Sequence, residues 1–123
     1  MSAAPRVLVV DDEPSLVRVL VWMLEREGFV ARGAHNGVDA LAKLSAETFD
    51  LVLCDVKMPV MDGPTLLRTM RQRGDETRVV FLSGYADLSD AHLRSLGASA
   101  VYNKPLDPPA LIEVVRAWSA PRA

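Results

Sequence analysis

Three short runs of apolar residues in this chain show no alternation with polar residues. They are "VLVV" at 7–10, "LVLC" at 51–54 and "VVFL" at 79–82. Unbroken apolar runs of this length are typical of strands buried on both faces, which occur in parallel sheets covered by helices. Neighbouring parallel strands need a crossover of about a dozen residues or more, and the intervals between the runs are long enough for one. The pattern therefore predicts an α/β fold.

The intervals between the strands have the spacing of amphipathic helices. The first helix is expected to begin near Pro14 and to end before Gly28, with an inner face of Leu16, Leu20, Met23 and Leu24. Four more helices are predicted at 38–45, 64–73, 89–96 and 108–118, and two shorter strands at 29–34 and 99–103. The second helix is expected to bury Val38, Leu41, Ala42 and Leu44, and the third helix Leu66, Leu67 and Met70.

Five strands that alternate with five helices predict a three-layer, doubly wound (βα)5 parallel sheet with helices on both faces. The length of 123 residues is that of one domain, so residues 1–123 are expected to form a single domain with a core over about 5–118. In sheets of this kind, ligands bind beyond the carboxyl ends of the strands. The residues that follow each strand are therefore the candidates for function.

Composition excludes several classes of partner. There are 14 basic and 16 acidic residues, and no dense Lys/Arg run that would follow a phosphate backbone or an anionic membrane, so we expect neither nucleic acid nor membrane contact. The start "MSAAPR" lacks the apolar stretch of a signal peptide, which predicts a cytoplasmic location. Cys54, the single cysteine, is predicted to be a buried thiol.

Polar residues follow four of the predicted strands. They are Asp11 and Asp12 after the first strand, Asp55 after the third, Ser83 after the fourth and Lys104 after the fifth. Two carboxylates about 5 Å apart repel each other by roughly 3 kcal/mol at an effective dielectric near 20. Three carboxylates at one sheet edge therefore require a cation.

Oxygen ligands of this kind suit Mg²⁺, which keeps several water ligands that a phosphoryl group can replace. Asp12 and Asp55 are the predicted metal ligands, together with the backbone carbonyl of Lys57, and Asp11 is expected to orient metal-bound water. Asp55 is predicted to act as a nucleophile toward phosphorus and to form an aspartyl phosphate. Lys104 and Ser83 are expected to neutralise and hydrogen-bond the transferred phosphoryl oxygens.

Over residues 5–118 the sequence resembles the receiver domains of two-component response regulators. The matching features are the pair Asp11 and Asp12, the run "DVKMPVMDG" that opens on Asp55, Ser83 followed by Gly84, and Tyr102 two residues before the "KP" of Lys104 and Pro105. The resemblance implies a CheY-like or flavodoxin-like fold and Mg²⁺-dependent phosphorylation of Asp55 by a histidine kinase or a histidine phosphotransfer protein. Hydrolysis would then reset the switch.

The resemblance also implies a cis bond between Lys104 and Pro105 and a switch in which the ring of Tyr102 moves toward Ser83 after phosphorylation. Ser83 stands where Thr is commoner in the family. Lys57 and Tyr85 are expected to overhang the acyl phosphate. Because only "SAPRA" follows residue 118, output is expected through protein contact, at the face formed by the last two helices and the last strand. The chain is expected to be a monomer or a weak homodimer.

Two other classes of protein share part of this pattern. A haloacid-dehalogenase-like phosphatase also forms an aspartyl phosphate on Mg²⁺, but it needs a second Asp two residues after the nucleophile, and Lys57 stands there. A flavin-binding module needs a phosphate-cradling loop after the first strand, where "DDEP" would repel a phosphate. Within the receiver class, both a free-standing regulator and a segment of a hybrid histidine kinase remain open, and "FLSGYA" around Ser83 favours the latter.

Overall fold

The computed structural model describes residues 4–84 and 90–120. Its five strands are β1 (Arg6–Val10), β2 (Val30–Ala34), β3 (Leu51–Asp55), β4 (Arg78–Ser83) and β5 (Ala100–Asn103). Its five helices are α1 (Pro14–Arg26), α2 (Gly37–Ala46), α3 (Gly63–Gln72), α4 (Asp90–Ser95) and α5 (Pro108–Ser119). Tyr85, and Ser89 at the predicted start of the fourth helix, lie outside the described residues.

All strand pairs are parallel, and the strand order is β2-β1-β3-β4-β5. This confirms the predicted doubly wound (βα)5 sheet. The order reverses between β1 and β3, where Val10 pairs with Cys54, so that the next residues along the two strands, Asp11 and Asp55, lie side by side. The reversal thus opens a crevice at the carboxyl end of the sheet, beside the two carboxylates.

The sheet divides the core into two layers. One layer packs β1 and its neighbours against α2, α3 and α4, and the predicted inner residues of α3, which are Leu66, Leu67 and Met70, are completely buried in it. The other layer packs the opposite sheet face against α1 and α5, and it contains Leu24 and Val115. Cys54 is buried, as its apolar surroundings predicted.

The predicted inner face of α2 is partly wrong. Leu41 is buried and Leu44 packs against the core, but Val38 is 52% exposed and Ala42 is also exposed. The helix begins one residue earlier than predicted, because the side chain of Asn36 caps it by accepting a hydrogen bond of 2.8 Å from the Asp39 backbone N–H. Its buried face therefore contains Gly37, Ala40 and Leu41.

The predicted inner face of α1 was incomplete. Val17 is 4% exposed and belongs to the buried side of the helix, together with Leu20 and Leu24. It fits there because a Cβ on Gly33 of β2 would lie 2.3 Å from the Val17 Cγ1 atom, so the absence of a side chain at 33 makes the space. Trp22, on the opposite side of the helix, is 58% exposed. Within residues 4–84 and 90–120, no helix combines the length and the apolar character that crossing a bilayer takes.

Val60, in the loop between β3 and α3, has a left-handed backbone with φ of 71°. A β-branched residue in this conformation costs about 1–3 kcal/mol, and the Val60 side chain is 81% exposed, so burial does not repay that cost. We expect Val60→Gly to raise the free energy of unfolding by about 0.5–2 kcal/mol after the greater chain entropy of unfolded glycine is subtracted. The melting temperature should rise by about 2–6 °C.

Val38 provides a matched control for this change, since it is another exposed valine but lies in a helix. Val38→Gly should lower the stability, because glycine in a helix is less favourable than valine by a few tenths of a kcal/mol. Thermal melts followed by circular dichroism measure both variants. A Val60→Gly protein that melts at or below the temperature of the parent would show that the loop carries no such strain.

Candidate functional site

Three carboxylates meet at the carboxyl end of the sheet. Asp11 and Asp12 follow β1, and Asp55 is the last residue of β3. One carboxylate oxygen from each of the three lies within 4.8 Å of the others. Asp11 is 4% exposed, Asp55 is half-buried and Asp12 is exposed. The structure therefore brings together the acidic cluster that strand order and position predicted.

Lys104 completes this cluster with a positive charge. Its Nζ atom lies 3.0 Å from Asp11 Oδ2 and 3.5 Å from Asp55 Oδ2. The backbone N–H of Lys104 donates a hydrogen bond of 2.8 Å to the Ser83 carbonyl, and the peptide bond between Lys104 and Pro105 is cis, as the resemblance implied. The loop after β5 thus holds the ammonium group directly over two carboxylates.

Asp11 makes more contacts than sequence reasoning assigned to it. Its backbone N–H donates to the Ala34 carbonyl, its Oδ1 atom accepts a hydrogen bond from the Glu13 backbone N–H at 3.0 Å, and its Oδ2 atom accepts from Lys104. Both of its oxygens are therefore engaged within the protein. This arrangement makes Asp11 the nearer partner of Lys104, which residue order along the chain could not indicate.

The electrostatics of the site follow from burial and from the crowding of charges. Burial raises the pKa of the Asp55 carboxyl; the Lys104 ammonium acts in the opposite direction, and Asp11 adds to the increase. Burial by itself would lower the pKa of Lys104, but the hydrogen bond and charge of Asp11, followed by those of Asp55, raise it above its ordinary value. Lys104 therefore remains an ammonium ion at neutral pH.

Ser83 and Tyr102 lie on adjacent strands beside the cluster. Ser83 is the last residue of β4 and is 7% exposed, and Tyr102 of β5 pairs with Leu82. The ring of Tyr102 packs against the α1 and α5 layer, and its hydroxyl accepts a hydrogen bond of 3.0 Å from Trp118 Nε1. Sequence reasoning missed this bond, because no pattern in the chain links residues 102 and 118.

An open cleft of about 310 Å³ lies beside Asp12 and is lined also by Lys57, Met58, Pro59 and Asp62. Lys57, predicted to supply a backbone carbonyl to a metal, is thus at the edge of the acidic cluster. Asp62 caps α3, since its Oδ1 atom accepts a hydrogen bond of 2.9 Å from the Thr65 backbone N–H. The cap therefore fixes the start of α3 beside the cleft.

Gly63, the first residue of α3, packs closely against the backbone of Asp55. A Cβ at this position would lie 2.5 Å from the Asp55 carbonyl oxygen and 2.5 Å from Phe81 Cε1. Its backbone N–H also donates a hydrogen bond of 2.9 Å to the Val56 carbonyl. Gly63 ends the run "DVKMPVMDG" that opens on Asp55, and this position was the signal in the sequence that could have identified the close packing.

The donor set of the cluster fits a hard divalent cation. Carboxylate and carbonyl oxygens are the ligands that Mg²⁺ and Ca²⁺ prefer, and few protein ligands combined with an open cleft suit Mg²⁺, which keeps much of its water shell. The Lys104 ammonium, 3.5 Å from Asp55 Oδ2, supplies a positive charge beside that carboxylate. The arrangement can bind a metal ion and an anionic group such as a phosphoryl group beside the Asp55 carboxylate.

Comparisons with known proteins agree with this geometry. A family model described as "Response regulator receiver domain" matches residues 7–116. The sensor kinase CckA of Brucella abortus is 40% identical over 105 residues, a match that covers 83% of this chain and 11% of that protein. Sporulation initiation phosphotransferase F of Bacillus subtilis is 34% identical over 103 residues, which cover 83% of each chain.

Among solved structures, the response regulator protein TrrA of Thermotoga maritima, in complex with Mg(2+)-BeF, superposes with a TM-score of 0.82 at 29% identity and covers 93% of this chain and 98% of its own. The fold is thus of the CheY-like type. The chain spans a small part of one relative and most of another. It belongs to the response regulator receiver domain family and is a receiver domain of two-component signal transduction.

Proposed function

We propose that Asp55 is the phosphoacceptor of this receiver, that the reaction depends on Mg²⁺, and that the donor is a histidine kinase or a histidine phosphotransfer protein. The observation that carries the proposal is the position of the Asp55 carboxylate, which has the Lys104 ammonium 3.5 Å away and the oxygens of Asp11 and Asp12 within 4.8 Å. A carboxylate in this position has cations on the side from which an anionic phosphoryl group would approach.

The contacts of the three carboxylates favour Asp55 as the nucleophile. Asp11 has both oxygens bound within the protein, to Glu13 and to Lys104. Asp12 is exposed on the loop after β1. Asp55 stands at the end of a central strand, where the sheet holds its backbone in register with Leu82 of β4. A nucleophile fixed in this way loses little freedom when it reacts.

The metal site follows from the same contacts. Asp12, Asp55 and the backbone carbonyl of Lys57 would hold Mg²⁺, and Asp11 would orient a water ligand through an oxygen that it shares with its protein partners. Bound Mg²⁺ would offset the charge of the carboxylates and of the phosphoryl oxygens. The Mg(2+)-BeF complex of the similar TrrA protein supports this assignment.

In the transfer itself, an Asp55 carboxylate oxygen forms a bond to phosphorus while the bond between phosphorus and the donor histidine nitrogen breaks. The electron pair of that bond remains on the histidine, which then takes up a proton. Lys104 neutralises a phosphoryl oxygen, and the Ser83 hydroxyl hydrogen-bonds another. The chain so acts as a switch that catalyses only its own phosphorylation and dephosphorylation.

The downstream partner is proposed to be a protein that binds the face formed by α4, β5 and α5. Ser83 and Tyr102 are the proposed switch residues, since Ser83 ends β4 beside the site and Tyr102 lies on β5, the strand of this face that pairs with β4. The chain is proposed to work as a single domain, as a monomer or weak homodimer, in the cytoplasm, where kinases draw phosphoryl groups from ATP. The relatives include both a sensor kinase, of which the match covers 11%, and a chain of similar length, of which it covers 83%.

Phosphorylation by a small donor tests the proposal directly. The parent protein, incubated with acetyl phosphate and Mg²⁺, should gain the mass of one phosphoryl group, measured on the intact protein. The same incubation with a metal chelator should give no gain, because the carboxylates would then repel the donor. If the mass increase were equal with and without the metal, or absent in both, the proposed reaction would be wrong.

A further inference from the structure

Trp118 and Tyr102 form a hydrogen bond that the phosphorylation chemistry does not use. The indole Nε1–H of Trp118, at the end of α5, donates to the hydroxyl of Tyr102 on β5 at 3.0 Å. Both rings are partly buried and pack against the layer formed with α1 and α5. The bond therefore joins a strand next to the site to the far end of the last helix.

The position of Trp118 is itself fixed by Arg78, the first residue of β4. The Arg78 guanidinium donates to the backbone carbonyls of Trp118 and Ala120, the latter at 2.8 Å. Ser83 is at the opposite end of β4, and a strand of six residues spans about 16 Å between its ends. The Tyr102 hydroxyl is consequently bonded to a residue whose backbone is held by the first residue of β4, at the end of that strand opposite Ser83.

We propose that Trp118 is a positioning residue that holds Tyr102 in the unphosphorylated arrangement. The inference rests on the proposed function, in which Tyr102 moves toward Ser83 when Asp55 is phosphorylated. Movement of the ring toward Ser83 would carry its hydroxyl away from the Trp118 indole, because Arg78 holds the backbone of Trp118 at the other end of β4. Switching therefore requires this hydrogen bond to break, and the bond favours the resting state.

Replacement of Trp118 removes the hydrogen-bond donor to Tyr102 and should therefore increase the population of the switched state. A hydrogen bond between two partly exposed neutral groups has a modest net value, because water replaces it when it breaks. A ligand of the switched state gains apparent affinity in proportion to the population of that state. We therefore expect Trp118→Phe to bind beryllium fluoride, in the presence of Mg²⁺, about two- to tenfold more tightly than the parent.

The two tryptophans of the chain make the bond directly observable. Trp22 is 58% exposed and lies in α1, where the guanidinium carbon of Arg26 is 4.8 Å from the centroid of the Trp22 ring. Its indole N–H signal therefore serves as an internal reference. In ¹H–¹⁵N spectra of the parent protein with Mg²⁺, the Trp118 indole signal should move upfield when beryllium fluoride is added, while the Trp22 signal stays in place.

Two variants separate the bond from general packing. Tyr102→Phe removes one oxygen atom and keeps the ring, and it should show the Trp118 indole signal in the upfield position before any metal or beryllium fluoride is added. Trp22→Phe makes the same replacement as Trp118→Phe at an exposed position, and it should leave the affinity for beryllium fluoride unchanged.

The outcomes distinguish a failure of the role proposed for Trp118 from a failure of the proposed function. If backbone amides beside Asp55 respond to beryllium fluoride while the Trp118 indole signal does not, the inference is overturned and the proposed function stands. An affinity of Trp118→Phe equal to that of the parent also overturns it. If no signal near Asp55 responds at all, the proposed function fails, and the inference fails with it.

Discussion

The Asp55→Asn protein should take up no phosphoryl group from acetyl phosphate and Mg²⁺, whereas the parent takes up one. An amide oxygen carries no negative charge, so it is a poor nucleophile toward phosphorus and a weaker ligand for Mg²⁺ than a carboxylate. The two side chains have nearly the same size, and the half-buried site should accept the amide without rearrangement. Intact-mass measurement decides the outcome.

The stability of this variant provides a check that it is folded. Burial and the charge of Asp11 raise the pKa of Asp55 in spite of Lys104. A carboxyl group whose pKa is higher in the folded state than in the unfolded state stabilises the fold when protonated, and this contribution is lost as the pH rises through the folded pKa. At neutral pH the uncharged amide should therefore melt at a higher temperature than the parent, both without metal.

Asp62→Asn is the matched control for charge. Asp62 lines the same cleft as Asp12, and it caps α3 through Oδ1, a role that asparagine performs equally well. This variant should be phosphorylated as fully as the parent. Equal phosphorylation of Asp55→Asn and the parent would instead refute Asp55 as the phosphoacceptor, and loss in both variants would show that the reaction depends on the total charge.

The Gly63→Ala protein should lose about 1–3 kcal/mol of unfolding free energy and melt roughly 3–12 °C lower than the parent. The added methyl group would lie 2.5 Å from the Asp55 backbone carbonyl and 2.5 Å from a ring carbon of Phe81, which is completely buried. Neither neighbour is the flexible end of a side chain. Relief of the contact must therefore move β3 or α3, and with it the Asp55 carboxylate.

A second consequence of this change concerns function, because a shifted Asp55 should be phosphorylated more slowly than in the parent. Gly84→Ala is the control for stability, since a Cβ there would meet no atom of residues 4–84 and 90–120 within 4 Å. It should not lower the melting temperature. Denaturant unfolding of both variants measures the difference, and a Gly63→Ala protein as stable as the parent would show that the site has room for a methyl group.

The elements of the fold could be predicted because each depends on a local pattern. The apolar runs at 7–10, 51–54 and 79–82 became the central strands β1, β3 and β4, and the inner face of α3 was predicted residue by residue. The face of α2 was predicted less well. Its rotation about its axis depends on the Asn36 cap and on the absence of a side chain at Gly37, where a Cβ would lie 2.5 Å from Met61 Cγ.

The membership of the site also followed from sequence, because side chains that follow parallel strands must meet at one edge of the sheet. This rule identified Asp11, Asp12, Asp55 and Lys104 without knowledge of any contact. It could not indicate that Lys104 lies closer to Asp11 than to Asp55, at 3.0 Å against 3.5 Å. That difference depends on how the loop after β5 crosses the ends of β1 and β3.

Sequence by itself therefore determined the order and type of the elements and the residues at the carboxyl edge, since both follow from periodicity along the chain. Tertiary structure decided the contacts between elements. These are the hydrogen bond from Trp118 to Tyr102, the hydrogen bonds from Arg78 to the end of α5, and the close approach of Gly63 to Asp55. These contacts join segments that are far apart in the chain, and a shift of a few tenths of an ångström between the segments would change them. Packing of the whole core sets such distances, and no local pattern contains them.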